Sequence, residues 1–264
     1  MKFTVLGASG YIGRSLCKFL MMQGHEVFAP YRDDPKIFTD DLGYVVYAIG
    51  LTADFRSKSF ETVQAHVGVL QQVLQYSRFS SLLYLSSTRL YSGAESTQEE
   101  ADLMVRSQNP SDLYNLSKLL GESLCLNSGR SNVRIVRLSN VIGGENEGSD
   151  LFFFSLLRDA RAGSIKLQSH PDSEKDYVLI EDAIELIYRI TVQGNFNVYN
   201  VASGCNLSHR QLIAIMSKAF GCNVEFADGA KVISFPVIDI NRIVEEYSFT
   251  PSNVSLFIGN QWEK

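Results

Sequence analysis

The sequence predicts an α/β fold whose main layer is a parallel sheet covered by helices on both faces. Short apolar runs alternate with segments of helical periodicity, and each run is apolar almost throughout rather than at every second residue. A glycine-rich turn also follows the first run directly. Strands that are buried on both faces have continuous apolar runs, and their alternation with helices is typical of parallel sheets.

The predicted elements follow a regular order through the first half of the chain. A strand at 2–7 leads to a helix at 11–23, which Gly24 ends. Further strands are predicted at 25–31, 44–50, 81–87 and 132–139, with helices at about 58–77 and from Tyr114. From about residue 144 the pattern loosens, with helices near 150–162, 181–193 and 208–220. This change predicts a main domain over 1–143 and a smaller C-terminal α/β subdomain over 144–264, with no linker and with some late strands returning to the main sheet.

The composition excludes several functions. The 264 residues carry a formal net charge of −5 and no run of Lys or Arg, so no nucleic-acid partner is expected. No apolar run approaches the ~18 residues of a membrane span, and the glycine turn begins too early for a signal peptide. The four cysteines lie far apart, without histidines at metal-ligand spacing. This pattern predicts reduced, buried thiols, no metal site and a cytoplasmic location.

The segment GASGYIG (7–13) joins the first strand to the first helix. Gly7 permits a tight turn, Gly10 lets the backbone approach a pyrophosphate, and Gly13 allows the helix to pack closely on the sheet. The first turn of the helix then presents backbone N–H groups and the positive end of its dipole. The spacing is G-x-x-G-x-x-G rather than G-x-G-x-x-G, but its place between strand and helix predicts a dinucleotide site.

The segment DLYNLSKLLGES (112–123) places Tyr114 and Lys118 four residues apart, so their side chains are neighbours in a helix. A surface pair at this spacing contributes only tenths of a kcal/mol and indicates no function by itself. Ser87, however, lies at the carboxyl end of the fourth predicted strand, the edge at which open α/β sheets bind ligands. Ser87, Tyr114 and Lys118 are therefore candidates for one site.

These features together resemble the extended short-chain dehydrogenase/reductase superfamily, in particular the NAD-dependent epimerase/dehydratase group that acts on nucleotide sugars. The resemblance covers nearly the whole chain and implies a Rossmann-like doubly wound sheet with a smaller C-terminal substrate-binding subdomain. Its ordered landmarks are the glycine turn, YLSSTRLYSG (84–93), the Tyr114–Lys118 helix, RLSNVIGG (137–144), KDYVLIED (175–182) and YNVASG (199–204).

The resemblance implies that Ser87, Tyr114 and Lys118 are catalytic. A tyrosine has a pKa near 10 in water, and a nearby ammonium group lowers it by favouring the phenolate. Tyr114 would then exchange a proton with a sugar hydroxyl, while Ser87 would hold the reacting oxygen. Ser87 is assigned to this role rather than Ser86 because it stands four residues before Tyr91, as in the family's pattern.

The resemblance also implies binding residues, with NAD or NADP as cofactor. The expected cofactor contacts are Gly7, Ser9, Gly10, Tyr11, Ile12, Gly13, Arg32, Ala48, Ser86, Tyr114 and Lys118. The expected substrate contacts are Ser87, Thr88, Asn140 and Lys175. Asn140 either contacts the substrate's phosphates or forms a turn, and Lys175 either contacts phosphate or is solvated. His66 is expected to be structural, and His170 exposed.

Three departures from the family restrict the function. Tyr31 and Arg32 replace the acidic residue that usually ends the second strand, which favours NADP, although Asp33 could still serve NAD. Only about fourteen residues separate the second strand from the third, so one edge of the sheet is expected to be trimmed. Near the C-terminus, Pro236 stands where the family often has an arginine for the nucleotide diphosphate, and Arg242 is nearby but not equivalent.

The sequence therefore predicts an NAD(P)-dependent sugar-nucleotide 4-epimerase or ketoreductase, with a nucleotide sugar as small-molecule partner and a homodimer as assembly. The alternatives are a reductase of a non-sugar carbonyl and a non-catalytic dinucleotide sensor; the Tyr–Lys pair favours an enzyme. Relatives that dehydrate place Asp-Glu directly after the catalytic hydroxyl residue, whereas Ser87 is followed by Thr88 and Arg89. Neither side chain can act as a carboxylate acid or base, so dehydration is not expected.

Overall fold

The computed structural model describes residues 1–52, 54–144, 146 and 148–260. Packing divides the chain into two compact units. The first unit comprises Met1–Leu90, Met104–Leu138 and Ala183–Val201, and the second comprises Tyr91–Leu103, Ser139–Asp182 and the chain from Ala202. The boundary predicted at residue 143 separates a cofactor-binding part from a substrate-binding part, and this assignment of roles stays a prediction.

The elements agree closely with the predicted order in the first half of the chain. The strands are β1 (Lys2–Leu6), β2 (Glu26–Phe28), β3 (Tyr44–Tyr47), β4 (Ser81–Ser87), β5 (Val133–Leu138), β6 (Asn140–Ile142), β7 (Ser164–Leu167), β8 (Glu174–Leu179), β9 (Val198–Val201), β10 (Asn206–Ser208) and β11 (Asn223–Phe226). The α-helices are α1 (Tyr11–Met22), α2 (Lys36–Thr39), α3 (Ser59–Val63), α4 (Val69–Tyr76), α5 (Asp112–Leu126), α6 (Phe152–Arg161), α7 (Ile180–Gln193), α8 (His209–Phe220), α9 (Asn241–Tyr247) and α10 (Val254–Asn260).

The first unit contains a six-stranded sheet in the order β2-β1-β3-β4-β5-β9, and every pair in it is parallel. The apolar strands β1, β3, β4 and β5 are almost wholly buried, which explains their continuous apolar runs. The predicted Rossmann-like parallel sheet is confirmed. Because all the strands are parallel, their carboxyl ends lie along one edge, where β4 ends at Ser87.

The trimmed edge predicted from the short connection after the second strand is also confirmed. The three-residue strand β2 is the outermost strand on its side of the described sheet, and only the four-residue helix α2 lies between β2 and β3. Asp34 stabilises the start of this helix, because its carboxylate accepts a hydrogen bond from the backbone N–H of Lys36 at 3.0 Å. The side chain of Asp34 is buried in this role.

The single helix predicted at 58–77 is instead three segments. A π-helical turn, Gln64–Gly68, separates α3 from α4. Such turns accommodate one extra residue in a helix and are frequent at functional sites. The turn lies against α5, where a methyl group added to Gly121 would overlap the hydroxyl of Tyr84 and approach the carbonyl oxygen of His66 to 3.0 Å. Glycine at position 121 therefore permits this close helix packing.

The second unit contains two small sheets. Strands β10, β8 and β6 form a mixed sheet in that order, and β11 pairs with β7 in parallel. These strands are short, and the sequence predicted them only in general terms. Helix α8 begins with a capping box, in which Ser208 and Gln211 each accept a hydrogen bond from the other's backbone.

The cysteine prediction needs one correction. Cys17, Cys125 and Cys222 are buried free thiols as expected, but Cys205 is exposed. It follows Gly204 in a loop, where its backbone N–H donates to the carboxylate of Asp176 at 3.1 Å. Among the described residues, no helix combines the length and the apolar character that a membrane crossing requires.

A buried ion pair joins α5 to the sheet. Arg137 on β5 donates to Glu122 on α5 through Nε at 3.1 Å and through Nη2 at 2.7 Å, and Ser86 on β4 donates to the same carboxylate at 2.5 Å. All three side chains are buried. The ion pair therefore fixes the helix that carries Tyr114 on the strand that carries Ser87.

Replacing Glu122 with glutamine should strongly destabilise the protein. The variant preserves the side chain's size but leaves Arg137 buried without its counter-charge, which we expect to lower the free energy of unfolding by about 3 kcal/mol. Urea unfolding measures the change. Glu185→Gln, which breaks the exposed 3.6 Å pair with Arg189 on α7, is the control and should cost less than about 1 kcal/mol. Equal effects of the two substitutions would contradict this prediction.

Candidate active site

The structure places Ser87 close to Tyr114. Ser87 is the last residue of β4, and Tyr114 lies in the first turn of α5, where the Ser87 hydroxyl is near enough to act on the pKa of its phenol. Only 6% of Tyr114 is exposed. This proximity follows from the parallel sheet, because β4 ends at the edge where α5 begins. The phenol and the hydroxyl can therefore act on the same oxygen of a ligand.

Two groups oppose the effect of burial on Tyr114. Burial raises the pKa of the phenol above its usual value near 10, and the Ser87 hydroxyl and the positive charge of Arg89 offset only part of this rise. The guanidinium carbon of Arg89 lies 5.7 Å from the centre of the Tyr114 ring. This role of Arg89 was not predicted, because Arg89 was considered only as a residue that cannot act as an acid. Its place two residues after Ser87 was the available signal.

Lys118 is buried beneath the site rather than exposed as a helix-surface lysine. Its Nζ donates to the carbonyl oxygen of Leu85 at 2.7 Å and lies 4.9 Å from the centre of the Tyr84 ring. Burial lowers the pKa of the lysine to about 7, although the nearby Glu122 carboxylate raises it. The predicted role of Lys118 in lowering the pKa of Tyr114 stays a prediction. In the structure, Ser87 and Arg89 are the groups that oppose the rise in the Tyr114 pKa caused by burial.

His66 lies fully buried beside Tyr114. The two rings meet edge to face, with their centres 5.2 Å apart, and Nδ1 of His66 lies 2.8 Å from Oγ of Ser117. The Ser117 hydroxyl donates its hydrogen to the carbonyl oxygen of Tyr114 at 2.9 Å, so it must accept from His66. These hydrogen bonds assign the hydrogen of the neutral ring to Nδ1 and leave Nε2 as an acceptor.

The acceptor nitrogen of His66 faces the same space as Lys118. A methyl group added to Gly50 would lie 3.2 Å from Nε2 of His66 and 3.6 Å from Nζ of Lys118. Nε2 is buried and has no hydrogen-bond partner among the described residues. Burial and the charge of Lys118 lower the pKa of His66 to about 2, so the ring is neutral at physiological pH.

The glycine turn fits a dinucleotide. Gly7 has φ of +91°, and a methyl group on it would lie 2.7 Å from the carbonyl oxygen of Ala48. A methyl group on Gly13 would overlap the carbonyl oxygen of Gly7, so only glycine at position 13 allows α1 to lie this close to the turn. Helix α1 begins after Gly10 with no side-chain cap and no acidic residue in its first turn. Its N-terminus can therefore face an anion.

The remaining predicted cofactor residues lie near this turn or at the ends of β2, β3 and β4. Ser9 is exposed, Tyr11, Ile12 and Ala48 are half-buried, and Ser86 is buried under the site as a donor to Glu122. Arg32 is exposed after β2, and Asp33 beside it is exposed with φ of +65°. The carboxylate of Asp34 is used by α2, so Arg32 and Asp33 are the charged groups free to meet a cofactor ribose.

The predicted substrate residues divide between the two units. In the first unit, the buried Thr88 donates to the carbonyl oxygen of Leu138 at 3.4 Å. In the second unit, the amide of Asn140 donates to the carbonyl oxygen of Asp176 at 2.8 Å, and Nζ of Lys175 lies 4.6 Å from the centre of the Phe152 ring.

Arg242 and His170, both considered in the sequence, have clear structural positions. Arg242 forms ion pairs with Glu100 at 2.5 Å and with Glu99 at 3.7 Å. It is thus engaged within the second unit, as expected of an arginine that does not replace the missing diphosphate ligand. His170 lies in a loop, 33% exposed in its side chain, with its Nδ1 accepting from the backbone N–H of Asp172 at 3.1 Å.

A family model agrees with this geometry. The model of the NAD dependent epimerase/dehydratase family matches residues 3–202. The chain belongs to the NAD-dependent epimerase/dehydratase family. It is thus an enzyme of the extended short-chain dehydrogenase/reductase type, and the resemblance noted in the sequence is confirmed. Family members hold NAD(P) at the glycine turn, which here has the required glycines.

Individual relatives of the family are distant. The chain is 29% identical over 245 residues to the GDP-6-deoxy-D-mannose reductase of Pseudomonas aeruginosa, covering 81% of this chain and 78% of that protein. It is 26% identical over 183 residues to the dTDP-glucose 4,6-dehydratase of Streptomyces griseus, covering 66% of this chain and 54%, about half, of that protein. The solved structure of MoeE5 in complex with UDP-glucose and NAD superimposes with a TM-score of 0.82 at 18% identity, covering 100% of this chain and 98% of that one. This last likeness shows the fold.

His66 should make the protein's stability depend on pH. The folded pKa of about 2 lies below the ~6.5 of an unfolded histidine, so the unfolded chain binds more protons between these values and stability is lost as pH falls below about 6.5. Lowering the pH from 7 to 5 should cost about 2 kcal/mol through His66. Urea unfolding of His66→Asn at both pH values should lack this part of the loss.

Two histidines serve as references for this measurement. His209, whose pKa is lowered to about 4 mainly by burial, contributes to the pH dependence of both proteins and cancels in the comparison. His170→Asn, in a loop, is the control for replacing a histidine with asparagine. If His66→Asn lost as much stability on acidification as the wild type, the buried neutral histidine would be the wrong explanation.

Proposed function

We propose that the protein is an NAD(P)-dependent nucleotide-sugar 4-epimerase or ketoreductase. The observation that carries the proposal is the close pair of Ser87 and Tyr114, with Lys118 on the same helix and no carboxylate directly after Ser87. The family supports NAD(P) as cofactor, and the relatives named above, which act on or bind nucleotide sugars, support the substrate class.

The residues of this site suit proton transfer at one carbon. Tyr114 removes the proton from the C4 hydroxyl of the sugar, or returns it to a C4 ketone in the reverse direction. Ser87 donates a hydrogen bond to the same oxygen and stabilises the charge on it. Lys118 and the acceptor nitrogen of His66, which face one space beside Gly50, are placed to hold ribose hydroxyls. NAD(P), when bound, supplies the hydride acceptor and donor.

Arg89 and Thr88 disfavour dehydration. Elimination of water needs a carboxylate to take the C5 proton and an acid to protonate the leaving hydroxyl, and an arginine can do neither. Incubation with cofactor and a panel of UDP-, dTDP- and GDP-hexoses, followed by mass spectrometry, tests the reaction class. We expect an isomer of unchanged mass, or a keto-sugar reduced with consumption of NAD(P)H. A product lighter by one water would refute the proposal.

Tyr114→Phe should lower turnover by about two to four orders of magnitude while leaving the fold and cofactor affinity close to wild type, because only the proton-transfer group is lost. Steady-state kinetics with the substrate found in the panel measures the change. Tyr47→Phe is the matched control, since it removes a buried hydroxyl that donates to the carbonyl oxygen of Ala65 at 2.6 Å. It should lose stability without losing turnover. Near-wild-type turnover by Tyr114→Phe would exclude this tyrosine as the acid/base.

NADP is the cofactor that Arg32 favours. Arg32 can pair with a 2′-phosphate, whereas Asp33 can accept from the 2′-hydroxyl of NAD and repels that phosphate. We expect Arg32→Ala to weaken NADP binding about tenfold and to spare NAD, and Asp33→Ala to weaken NAD instead. Dissociation constants for both cofactors provide the measurement. An equal loss for both cofactors in Arg32→Ala would remove the argument for NADP.

A homodimer is the assembly we propose. Helices α3 and α5 pack together and present large exposed apolar side chains, among them Phe60 at 87% and Leu120 at 50% exposure. Burial of such side chains against a second copy would remove apolar area from water. Sedimentation velocity distinguishes a dimer from a monomer directly. The cytoplasmic location stays a prediction from the cysteine pattern.

A further inference from the structure

Two arginines converge on one aromatic ring next to the catalytic tyrosine. The guanidinium carbons of Arg56 and Arg89 lie 4.5 Å and 5.3 Å from the centre of the Phe55 ring. Phe55 is 2% exposed, and its ring centre lies 5.4 Å from that of Tyr114. We refer to Arg56 and Arg89 as the arginine pair. Phe55 therefore provides a fixed support that holds both cations close to Tyr114.

Both members of the arginine pair are also anchored to Ser111. Nη2 of Arg56 donates to Oγ of Ser111 at 3.2 Å, and Nη2 of Arg89 donates to the carbonyl oxygen of the same residue at 3.3 Å. Ser111 immediately precedes α5, so the anchor lies three residues from Tyr114. Each guanidinium has five N–H donors, and these single bonds leave most of them available.

Neither member of the pair forms an ion pair with a carboxylate of the described residues. The nearest acids are already used. The oxygens of Asp112 accept from the backbone N–H of Arg106 at 2.9 Å and from the amide of Asn109 at 3.1 Å. Asp54 is paired with Lys58 at 2.7 Å. Asp112 acts on Arg89 only at longer range, so two like charges meet without a direct counter-ion.

An anion would offset the repulsion between the partly exposed Arg89 and the exposed Arg56. Burial and the charge of Arg56 both lower the pKa of Arg89, which reports the cost of keeping the guanidinium charged there. A planar fork of donors matches a carboxylate bidentately, and such charge-assisted bonds are among the strongest in proteins. The missing partner is therefore an anionic group of the ligand that contacts Tyr114.

We propose that the arginine pair binds the carboxylate of a nucleotide-linked hexuronic acid, with Arg89 as the main contact and Arg56 as the second. This inference rests on the proposed function. The carboxylate of a hexuronic acid is attached to C5, the neighbour of the C4 carbon whose hydroxyl meets Tyr114. We therefore expect the guanidinium beside the Tyr114 ring to reach a group attached to a carbon next to C4.

Binding of matched ligands tests this assignment. Dissociation constants are measured by calorimetry with cofactor present, in the Tyr114→Phe background so that no turnover occurs. Each pair shares its nucleotide: UDP-glucuronate with UDP-glucose, GDP-mannuronate with GDP-mannose, and dTDP-glucuronate with dTDP-glucose. We expect the uronate of one pair to bind at least tenfold more tightly. Arg89→Gln should weaken that uronate about 10- to 100-fold and the neutral sugar by less than threefold.

Further variants separate charge, shape and general electrostatics. Arg89→Lys keeps the charge without the fork and should recover only part of the affinity, and Arg56→Gln should have a smaller effect than Arg89→Gln. Arg130→Gln is the matched control. The guanidinium carbon of Arg130 lies 4.5 Å from the Phe79 ring centre, and Nη2 donates to the carbonyl oxygen of Ser77 at 3.1 Å. Both partners precede β4, whereas the arginine pair lies near the end of that strand. Arg130→Gln should leave all affinities unchanged.

The other outcomes have definite meanings. If uronates and neutral sugars bind equally to the wild type, or if Arg89→Gln weakens both by the same factor, the carboxylate site is wrong while the nucleotide-sugar function stands. An equal loss would instead assign the pair to the shared diphosphate. If no nucleotide sugar binds the wild type at all, the proposed function fails and the carboxylate site fails with it.

Discussion

The buried ion pair between Glu122 and Arg137 is the constraint on which the geometry of the site depends. It joins the middle of α5 to β5, and Ser86 joins β4 to the same carboxylate. Taking two charges out of water is costly, and the cost is offset only when nearly every donor and lone pair is satisfied. The pair therefore tolerates one position of α5 on the sheet, and this position sets the distance between Ser87 and Tyr114.

The same carboxylate also affects the chemistry of Lys118. Glu122 lies one helical turn after Lys118, and its charge raises the pKa that burial lowers. Without Glu122, the effect of burial on the pKa of the lysine would be opposed less, and less of the lysine would be charged near neutral pH. Glu122 thus affects both the packing of α5 and the charge of Lys118 at the site.

The π-helical turn supplies another residue of the site, His66. It places His66 edge-on against Tyr114 and turns the free lone pair of Nε2 toward Gly50. The π-helical turn inserts one residue into the helical repeat, so in a regular helix through 58–77 the His66 side chain would point in a different direction. Gly121 is what allows α5 to approach this turn closely enough for Ser117 to hold the ring. The histidine is thus part of the packing and also faces the ligand space.

Sequence reasoning succeeded where local pattern and fold-level rules were sufficient. The continuous apolar runs predicted a parallel sheet, the glycine turn predicted the start of α1, and the Tyr114–Lys118 spacing indicated the helix at the site. The placement of the Tyr114–Lys118 helix near Ser87 follows from the edge of the sheet at which the parallel strands end. The π-helical turn was not predictable, because 58–77 has an unbroken helical period. The exposure of Cys205 was missed because loop geometry, rather than residue type, determines it.

The positions of charged side chains were the least predictable part of the site. Lys118 is a helix-surface lysine by spacing, yet the packing of α5 buries it against Tyr84 and Leu85 and lowers its pKa to about 7. Arg89 follows a strand and could point anywhere, yet Phe55 and Ser111 direct it toward Tyr114. The permanent cation beside the phenol is therefore Arg89, because a guanidinium remains charged under burial that partly neutralises a lysine.

This choice of cation has a consequence for the reaction. A fixed positive charge beside Tyr114 favours the phenolate and offsets part of the rise in the pKa of Tyr114 that burial causes. No carboxylate directly follows Ser87, so this segment offers no acid or base for the protons that elimination of water must move. The absence of an acidic residue at positions 88 and 89 is therefore the feature on which the proposed reaction class depends.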